Sequence, residues 1–333
     1  MSKKLLLSAI MVITGIFFSA CSSEKKDVSG FGQVDELFAD SIAIHEILQP
    51  RGWLTTGDKA VILSKGQDSV GYAYRLPDFK FLYVGLRVGG GPEELANPWP
   101  DPIQEYHPNG RFLLFHFGQR LAYYFTATDT GFVAGSAKRV GYGRAEGKPT
   151  LDSLVLDVSE SDFRDDGAVY LFLYDIAQGG AVDSVRSQTY YLPDKQKYKN
   201  WSIFAQNGTV CVAVYSDTGR IEYYDVSSGK LILKKVVGDD TPVEELKNKI
   251  FSNDGPFYDY VATDGKYLYI LETHYKNERR SNCDVLVYDW KGNPIKKYRL
   301  DKIIDNIIAG KGKLYGYNEK KDFEQVYVFD LGL

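Results

Sequence analysis

The residues that decide the fold read Phe257-Tyr-Asp-Tyr-Val-Ala-Thr263, then Asp264-Gly265, then Lys266-Tyr-Leu-Tyr-Ile-Leu-Glu272. After a charged segment they continue as Asp284-Val-Leu-Val-Tyr-Asp-Trp290, Lys291-Gly292-Asn293 and Pro294-Ile-Lys-Lys-Tyr-Arg-Leu300. These are four short aromatic and β-branched runs, which suit a pleated and half-buried surface. Asp-Gly and Gly-Asn between such runs are strong hairpin signals. The stretch therefore predicts a four-stranded antiparallel meander.

The rest of the chain repeats this unit, and a lone meander needs such copies because it cannot bury both of its faces. About 295 residues at roughly 40–50 residues per unit give about six units. The sixth ends one strand short at Gln325 to Leu331, whereas Asp40 to Ile47 is a surplus strand at the start. We therefore predict an all-β, six-bladed β-propeller of four-stranded antiparallel blades, closed by the N-terminal strand. A two-sheet sandwich is the alternative, but it does not explain the recurring glycine turns.

The start of the chain has the order of a secretory signal peptide. Lys3 and Lys4 precede an apolar segment, Leu5 to Ala20, and Cys21 follows directly after Ser-Ala. Because a basic start, a short apolar run and small residues occur together, residues 1–20 are predicted to be a signal peptide. The cysteine position resembles the bacterial lipobox, so we expect Cys21 to be acylated after cleavage. The alternative is ordinary secretion with an incidental cysteine.

This start also predicts the organisation and location of the mature chain. Residues 21–37 are small, polar and glycine-containing, and we expect a lipidated N-terminus with a flexible tether. Residues 38–333 form the propeller. The lipid would hold the protein to a membrane of the cell envelope, an outer membrane, on its periplasmic or its surface-facing side. Cys211 and Cys283 could form a disulfide there, but two separate buried thiols on strands are the favoured interpretation.

One junction between units resembles a known family. Gly90-Gly91-Pro92-Glu93-Glu94-Leu95 is followed by Asn109-Gly110-Arg-Phe-Leu-Leu-Phe-His116 and by Arg120-Leu121-Ala-Tyr-Tyr-Phe125. This order resembles the blade junction of NHL-type propellers, and with the lipobox the chain looks like the TolB-like six-bladed propeller lipoproteins of Gram-negative envelopes. The family often has glycine at the position of Glu93, and Val-Ala-Asp where this chain has Phe115-His116-Phe117. The resemblance implies the fold, and it carries no catalytic residue over to this chain.

The chemistry-bearing residues form no recognisable catalytic motif. None of the four histidines is spaced from another histidine or a cysteine as zinc ligands are, and no Gly-x-Ser-x-Gly motif is present. We therefore predict no catalytic residue, no metal and no cofactor. Forty basic against 44 acidic residues make nucleic acid an improbable partner. We expect a monomer whose partners are the membrane, through Cys21, and an envelope protein or glycan.

The longest charged loops indicate which face of the ring binds. Loops after the second and the fourth strand of a blade share one face, because the strands alternate in direction. Thr241 to Glu244 is a capping box that predicts a short helix to about Ile250 on that face. The predicted binding residues lie in the loops after blade one and within blade five. They are Arg87, Glu93, Glu94, Lys276, Glu278, Arg279 and Arg280.

Two functions follow from these observations. The favoured one is a lipid-anchored binding module of the envelope, because loops on a rigid scaffold commonly carry recognition. The alternative is an envelope hydrolase or lyase that acts on a glycan or lactone with a metal in the propeller channel. Ligands for such a metal can lie far apart in the sequence, so the missing motifs do not exclude this enzyme.

The lipid anchor can be tested at one residue. Replacing Cys21 by serine removes the thiol that would be acylated, so Cys21→Ser should move the protein from the membrane fraction to the soluble fraction or leave it unprocessed. Fractionation and mass measurement of the N-terminus are the readouts. A variant that is processed normally and remains membrane-bound would contradict lipidation.

Overall fold

The computed structural model is a six-bladed β-propeller with almost no helix, as the sequence predicts. It describes residues 30–46, 49–64, 69–89, 91, 94–95, 101–116, 119–141, 144–145, 148–158, 168–192, 197–246, 256–319 and 324–333. In these ranges the helices are a 3₁₀ turn, Leu151–Ser153, and an α-helix, Val243–Leu246. No helix there is long and apolar enough to cross a membrane.

Each blade is one sheet, numbered one to six around the ring. From the channel outwards, the strands are Pro50–Thr56, Lys59–Ser64, Ser69–Arg75 and Lys80–Arg87 in blade one; Asp101–Pro102, Arg111–His116, Leu121–Ala127 and Phe132–Arg139 in blade two; Leu154–Val158, Ala168–Asp175, Gly180–Leu192 and Lys197–Lys199 in blade three; Gln104–Glu105, Ser202–Asn207, Val210–Tyr215, Ile221–Asp225 and Ile232–Val237 in blade four; Pro256–Thr263, Leu268–Lys276, Arg279–Tyr288, Pro294–Leu300 and Val34–Leu37 in blade five; and Asn306–Gly310, Lys313–Tyr317, Gln325–Asp330 and Asp40–Ala43 in blade six.

The hydrophobic core lies between the blades. Side chains alternate between the two faces of a strand, and both faces of a blade are covered by its neighbours. Blades five and six show the arrangement, which buries Leu271, Val285, Tyr298, Ile307, Leu314 and Phe329 in one cluster. Cys211 lies between blades three and four and Cys283 between five and six, both as free buried thiols. The prediction of two separate thiols is therefore confirmed.

The predicted closure of the ring is confirmed. Asp40–Ala43 pairs antiparallel with Gln325–Asp330, with Asp40 opposite Val328 and Ala43 opposite Gln325. The backbone N–H of Ile44 then donates to the Glu324 carbonyl at 2.8 Å, and its side chain is buried. The N-terminal strand thus supplies the outermost strand of the last blade, which covers an otherwise unpaired edge.

One segment differs from the predictions. Val34–Leu37, which was assigned to the tether, adds a parallel strand to the outer edge of blade five, with Val34 opposite Lys297. The ordered domain therefore begins before residue 38. The helix predicted from Thr241 is present as Val243–Leu246, and the Thr241 hydroxyl donates to Asp239. The described part of that helix contacts blade three, where the Tyr190 hydroxyl donates to the Leu246 carbonyl at 2.8 Å.

Two truncated chains separate the roles of these N-terminal strands. A chain that begins at Phe38 loses only the added edge strand of blade five, whereas one that begins at His45 also loses the closing strand and buried Ile44. We expect the second to lose about 3–5 kcal/mol more of unfolding free energy, since removal of a buried aliphatic side chain alone costs about 2–5 kcal/mol. Denaturant unfolding is the measurement, and equal midpoints would contradict closure as a stabilising contact.

Candidate functional site

The centre of the ring is occupied by the protein's own chain. Residues 101–105, called the crossing segment below, join the inner edges of two blades that are not neighbours. Asp101–Pro102 pairs antiparallel with blade two, and Gln104–Glu105 pairs parallel with the Ser202–Asn207 strand of blade four. The segment also contacts the inner strands of blades one and five. It therefore fills the region in which a propeller enzyme would bind a metal or substrate.

Hydrogen bonds hold the crossing segment to the surrounding blades. The Gln104 amide donates to the Trp53 carbonyl at 2.7 Å, and the Tyr260 hydroxyl lies 3.2 Å from that same oxygen. The Gln206 amide donates to the Glu105 carboxylate at 3.0 Å and to the Leu154 carbonyl at 2.9 Å. Burial raises the pKa of Tyr260 to about 12, so this phenol remains a proton donor at neutral pH.

Two glycines provide the space for this arrangement. A Cβ on Gly52 would lie 2.6 Å from the Pro102 ring, and one on Gly265 would lie 2.5 Å from the ring of Tyr106. Gly265 also has a φ of +84°, as a tight hairpin turn requires. The hydroxyl of Tyr106, which follows the crossing segment, donates to the Gly57 carbonyl at 3.0 Å and adds a second contact with blade one.

The ring has two different faces. In blades one, four and five, the turns after the first and the third strand are short, counting blade four from Ser202–Asn207, and they define the short-turn face. The connections after the second and fourth strands leave on the opposite side, the long-loop face. The prediction of a long charged loop within blade five is wrong, because Tyr275 to Asn282 is a hairpin with a two-residue turn. Asn277 and Glu278 form that turn with φ of 51° and 61°, and Lys276 pairs directly with Arg279.

The predicted residues of blade five divide into two groups. Lys276, Glu278 and Arg279 are exposed at the tip of the hairpin on the long-loop face. Arg280 is half-buried and engaged, because its Nε donates to the Tyr275 hydroxyl at 2.9 Å and Nη2 lies 3.3 Å from the Asp259 carboxylate. Its other terminal nitrogen forms an ion pair with Asp305 of blade six. The geometry gives Arg280 a role in bracing the hairpin rather than in presenting a free cation.

The predicted residues of blade one lie elsewhere on the ring. Arg87 is exposed at the end of the outermost strand, and its carbonyl accepts from the Leu95 N–H at 2.8 Å. The Glu94 carboxylate accepts from the Gly91 N–H at 2.8 Å, so it is turned back onto its own loop. Blade six separates these residues from the blade-five hairpin, and the structure does not bring the two groups together. Glu93 and Cys21 lie outside the described residues.

Blade five also carries a charge cluster that the sequence analysis missed. It comprises Glu272 and His274 on the second strand, Asp284 on the third, and Lys297 and Arg299 on the fourth. His274 Nε2 lies 3.3 Å from Glu272 and 3.2 Å from Asp284. The Lys297 ammonium lies 2.7 Å and 3.3 Å from the same two carboxylates. The available signal in the sequence was the spacing of Glu272 and His274, which are two residues apart and so share one face of a strand, with Asp284 on the next strand.

The protonation of this cluster follows from its contacts. Hydrogen bonds to Asp284 and Glu272 raise the pKa of His274 to about 9, so the imidazole is charged at neutral pH. Burial disfavours ionised Asp284, but hydrogen bonds from His274 and Arg299 hold its pKa well below the usual range. Burial likewise opposes the charge on Lys297, and Glu272 and Asp284 nevertheless raise its pKa.

Three members of the cluster could act as metal ligands. Donor atoms of Glu272, His274 and Asp284 lie within 4.8 Å of one another. However, the Lys297 ammonium already contacts both carboxylates, and Arg299 donates two hydrogen bonds to Asp284 at 2.8 and 3.0 Å. A divalent ion would have to displace Lys297. The arrangement is that of an ion-pair network in which each carboxylate has a cationic partner.

Comparison with known proteins agrees with this fold. Residues 175–311 match the family model for TolB-like six-bladed propellers, which confirms the resemblance predicted from the sequence. Three of the similar solved structures are a Bacteroides fragilis protein described as exported, at 12% identity over 90% of this chain and 97% of that chain, TM-score 0.47; Moraxella catarrhalis BamB, at 14% over 84% and 71%, TM-score 0.34; and the Myceliophteria thermophila Cps50 (Swd1) propeller domain, at 11% over 84% and 83%, TM-score 0.40. No curated protein sequence matches the chain.

The charge cluster makes a prediction about pH. Because the pKa of His274 rises on folding from 6.5 to about 9, its contribution to stability is complete below pH 6.5 and disappears as the pH rises through 9. His274→Gln should therefore lower the unfolding free energy by about 2 kcal/mol at pH 6, allowing for partial exposure, and by little at pH 10. Denaturant unfolding across this range is the measurement. The exposed His45→Gln is the control, and a pH-independent loss in His274→Gln would contradict the charged imidazole.

Proposed function

We propose that this chain is a lipid-anchored β-propeller of a bacterial cell envelope, which binds a protein partner through the hairpin tip of blade five. The propeller fold is a common scaffold for interaction, and its loops are free to vary without disturbing the ring. The lipid anchor rests on the sequence around Cys21, where a basic start, an apolar segment and a lipobox-like cysteine coincide.

The observation that carries binding over catalysis is the occupied channel. The alternative function, a hydrolase or lyase with a metal in the channel, needs an open cavity at the ring centre. The crossing segment fills that position, where Gln104 donates to the Trp53 carbonyl of blade one and Glu105 accepts from Gln206 of blade four. Removing the segment to admit a substrate would break both of these bonds, and a buried polar group left without its partner costs about 1–3 kcal/mol.

The hairpin tip of blade five has the properties of a recognition surface. Lys276 and Arg279 are cross-strand neighbours, so two exposed cations project together from one rigid turn. The hairpin is braced below by Arg280, which joins it to Asp259 and Asp305. A braced hairpin loses little conformational entropy on binding. Two adjacent cations favour a partner with a carboxylate-rich surface, since arginine and lysine both pair with carboxylates.

Charge reversal at the hairpin tip tests the proposal. The double variant Lys276→Glu, Arg279→Glu should no longer crosslink to its partner in an envelope extract. Its unfolding free energy should stay within about 0.5 kcal/mol of the parent, because exposed substitutions usually change stability by no more than that. Arg280 is left unchanged, because its removal would leave Asp259 and Asp305 without their cation.

A matched control is available on the opposite face. Arg75 and Lys80 are also exposed cross-strand neighbours, and they flank a short turn of blade one. Arg75→Glu, Lys80→Glu should keep the partner that the first variant loses. If the blade-five variant retains every crosslinked protein, or if the blade-one variant loses the same protein, the hairpin tip is not the binding surface.

A further inference from the structure

The chain enters the propeller on the short-turn face. Gly30 lies against the ring of Pro294, the first residue after the third turn of blade five. The Phe31 ring packs edge-on against Tyr288, the last residue before that turn, with centroids 5.1 Å apart. Both contacts fix the start of the described chain beside the turn. The described chain therefore begins on the short-turn side of the ring.

Four exposed lysines lie in the short turns of blade five and its two neighbouring blades. Lys230 lies in the third turn of blade four, Lys266 and Lys291 in the first and third turns of blade five, and Lys311 in the first turn of blade six. We call these four residues the lysine rim. Within the described chain none of them forms an ion pair, although Lys266 lies over the Tyr267 ring at 4.6 Å. The rim thus spans the short-turn face of three adjacent blades.

The two carboxylates of the blade-five turns are hydrogen-bonded within their own turns. Asp264 accepts hydrogen bonds from the Lys266 and Tyr267 N–H groups at 2.9 Å and from the Tyr269 hydroxyl. Asp289 accepts from the Lys291 N–H at 2.9 Å and from Asn293. Both carboxylates keep their negative charge within their own turns, whereas all four rim lysines are exposed.

Asp183 of blade three accepts from the Leu231 N–H beside Lys230, and two other nearby acids have lysine partners. Asp225 pairs with Lys234 at 3.6 Å, and Asp330 pairs with Lys313 at 3.6 Å. On blade one, a hydrogen bond from Lys59 and a weaker field from Lys311 lower the pKa of Asp58. The short-turn face of blades four to six thus has an excess of positive charge in a chain whose net charge is −4.

We propose that the lysine rim docks on anionic lipid headgroups, so that the short-turn face lies on the membrane and the long-loop face points away from it. This inference rests on the proposed lipid anchor and adds its orientation. Nine residues from Cys21 to Gly30 reach at most about 30 Å, which keeps the rim close to the surface. Lysines attract an anionic surface only within about a Debye length, so a short tether holds the rim where this attraction acts.

The occupant is a lipid layer because the tether and the rim share one face. A tethered domain presents to the membrane the side from which its tether leaves, and here that side carries unpaired cations on rigid turns. The same orientation leaves Lys276 and Arg279 of the proposed binding surface accessible to a partner. The two functions are thus assigned to opposite faces, which makes their failures separable.

Lysine acetylation with mass spectrometry tests the orientation. The processed full chain is coupled chemically to a lipid at the Cys21 thiol, since Cys211 and Cys283 are buried, and placed on phosphatidylcholine vesicles with about 30% phosphatidylglycerol. Acetylation of Lys230, Lys266, Lys291 and Lys311 should slow about fivefold each, relative to vesicles of phosphatidylcholine alone, while Lys276 keeps its rate. Added salt should abolish the difference.

A matched pair of variants decides the result. Changing the four rim lysines to glutamine should remove the lipid-dependent protection of the neighbouring Lys235 and Lys313, whereas Arg87→Gln, Lys276→Gln, Arg279→Gln should leave protection of the rim intact. Equal rates at the rim and at Lys276 on anionic vesicles, or protection that persists on uncharged vesicles, would overturn the proposal. Chemical coupling makes this outcome independent of whether Cys21 is acylated in cells.

Discussion

A four-stranded blade has two apolar faces, and it can bury both only between two other blades. This constraint governs the whole molecule. Each of the six core clusters is shared by neighbouring blades, so no blade has a core of its own. A row of such units would leave its first and last faces exposed to water. The ring removes that cost, and the strand Asp40–Ala43 fastens the ring by completing blade six.

The sequence was sufficient for the fold because propeller blades are built from local signals. Alternating aromatic and β-branched residues define the strands, and positions such as Gly265 need a positive φ that glycine adopts without strain. Closure was also predictable, since a missing strand at one terminus matched a surplus strand at the other. The candidate site was predicted only in part. Lys276 and Arg279 lie at an exposed tip as expected, but the length of their loop was overestimated.

The features that escaped prediction all depend on pairing between distant parts of the chain. Gln104–Glu105 is only two residues long and pairs with a strand a hundred positions away, and such a segment has no period to detect. Val34–Leu37 has two acidic residues among its four, and it forms a strand because it pairs with the outer edge of blade five. Arg280 resembled a ligand-binding residue in sequence, but Asp259 of the first strand and Asp305 of the connection to blade six pair with it. Charge composition does not reveal such partners.

The crossing segment has a consequence for how the ring comes apart. In linear repeat proteins each unit contacts only its neighbours, so the ends can fray one repeat at a time. Here the crossing segment passes through the centre of the ring and is hydrogen-bonded to blades one, two and four. Blade two cannot swing away without pulling Gln104 from Trp53 and Glu105 from Gln206. Separation of two blades at one interface therefore disturbs contacts on the opposite side of the ring, and the propeller should unfold as one unit rather than blade by blade.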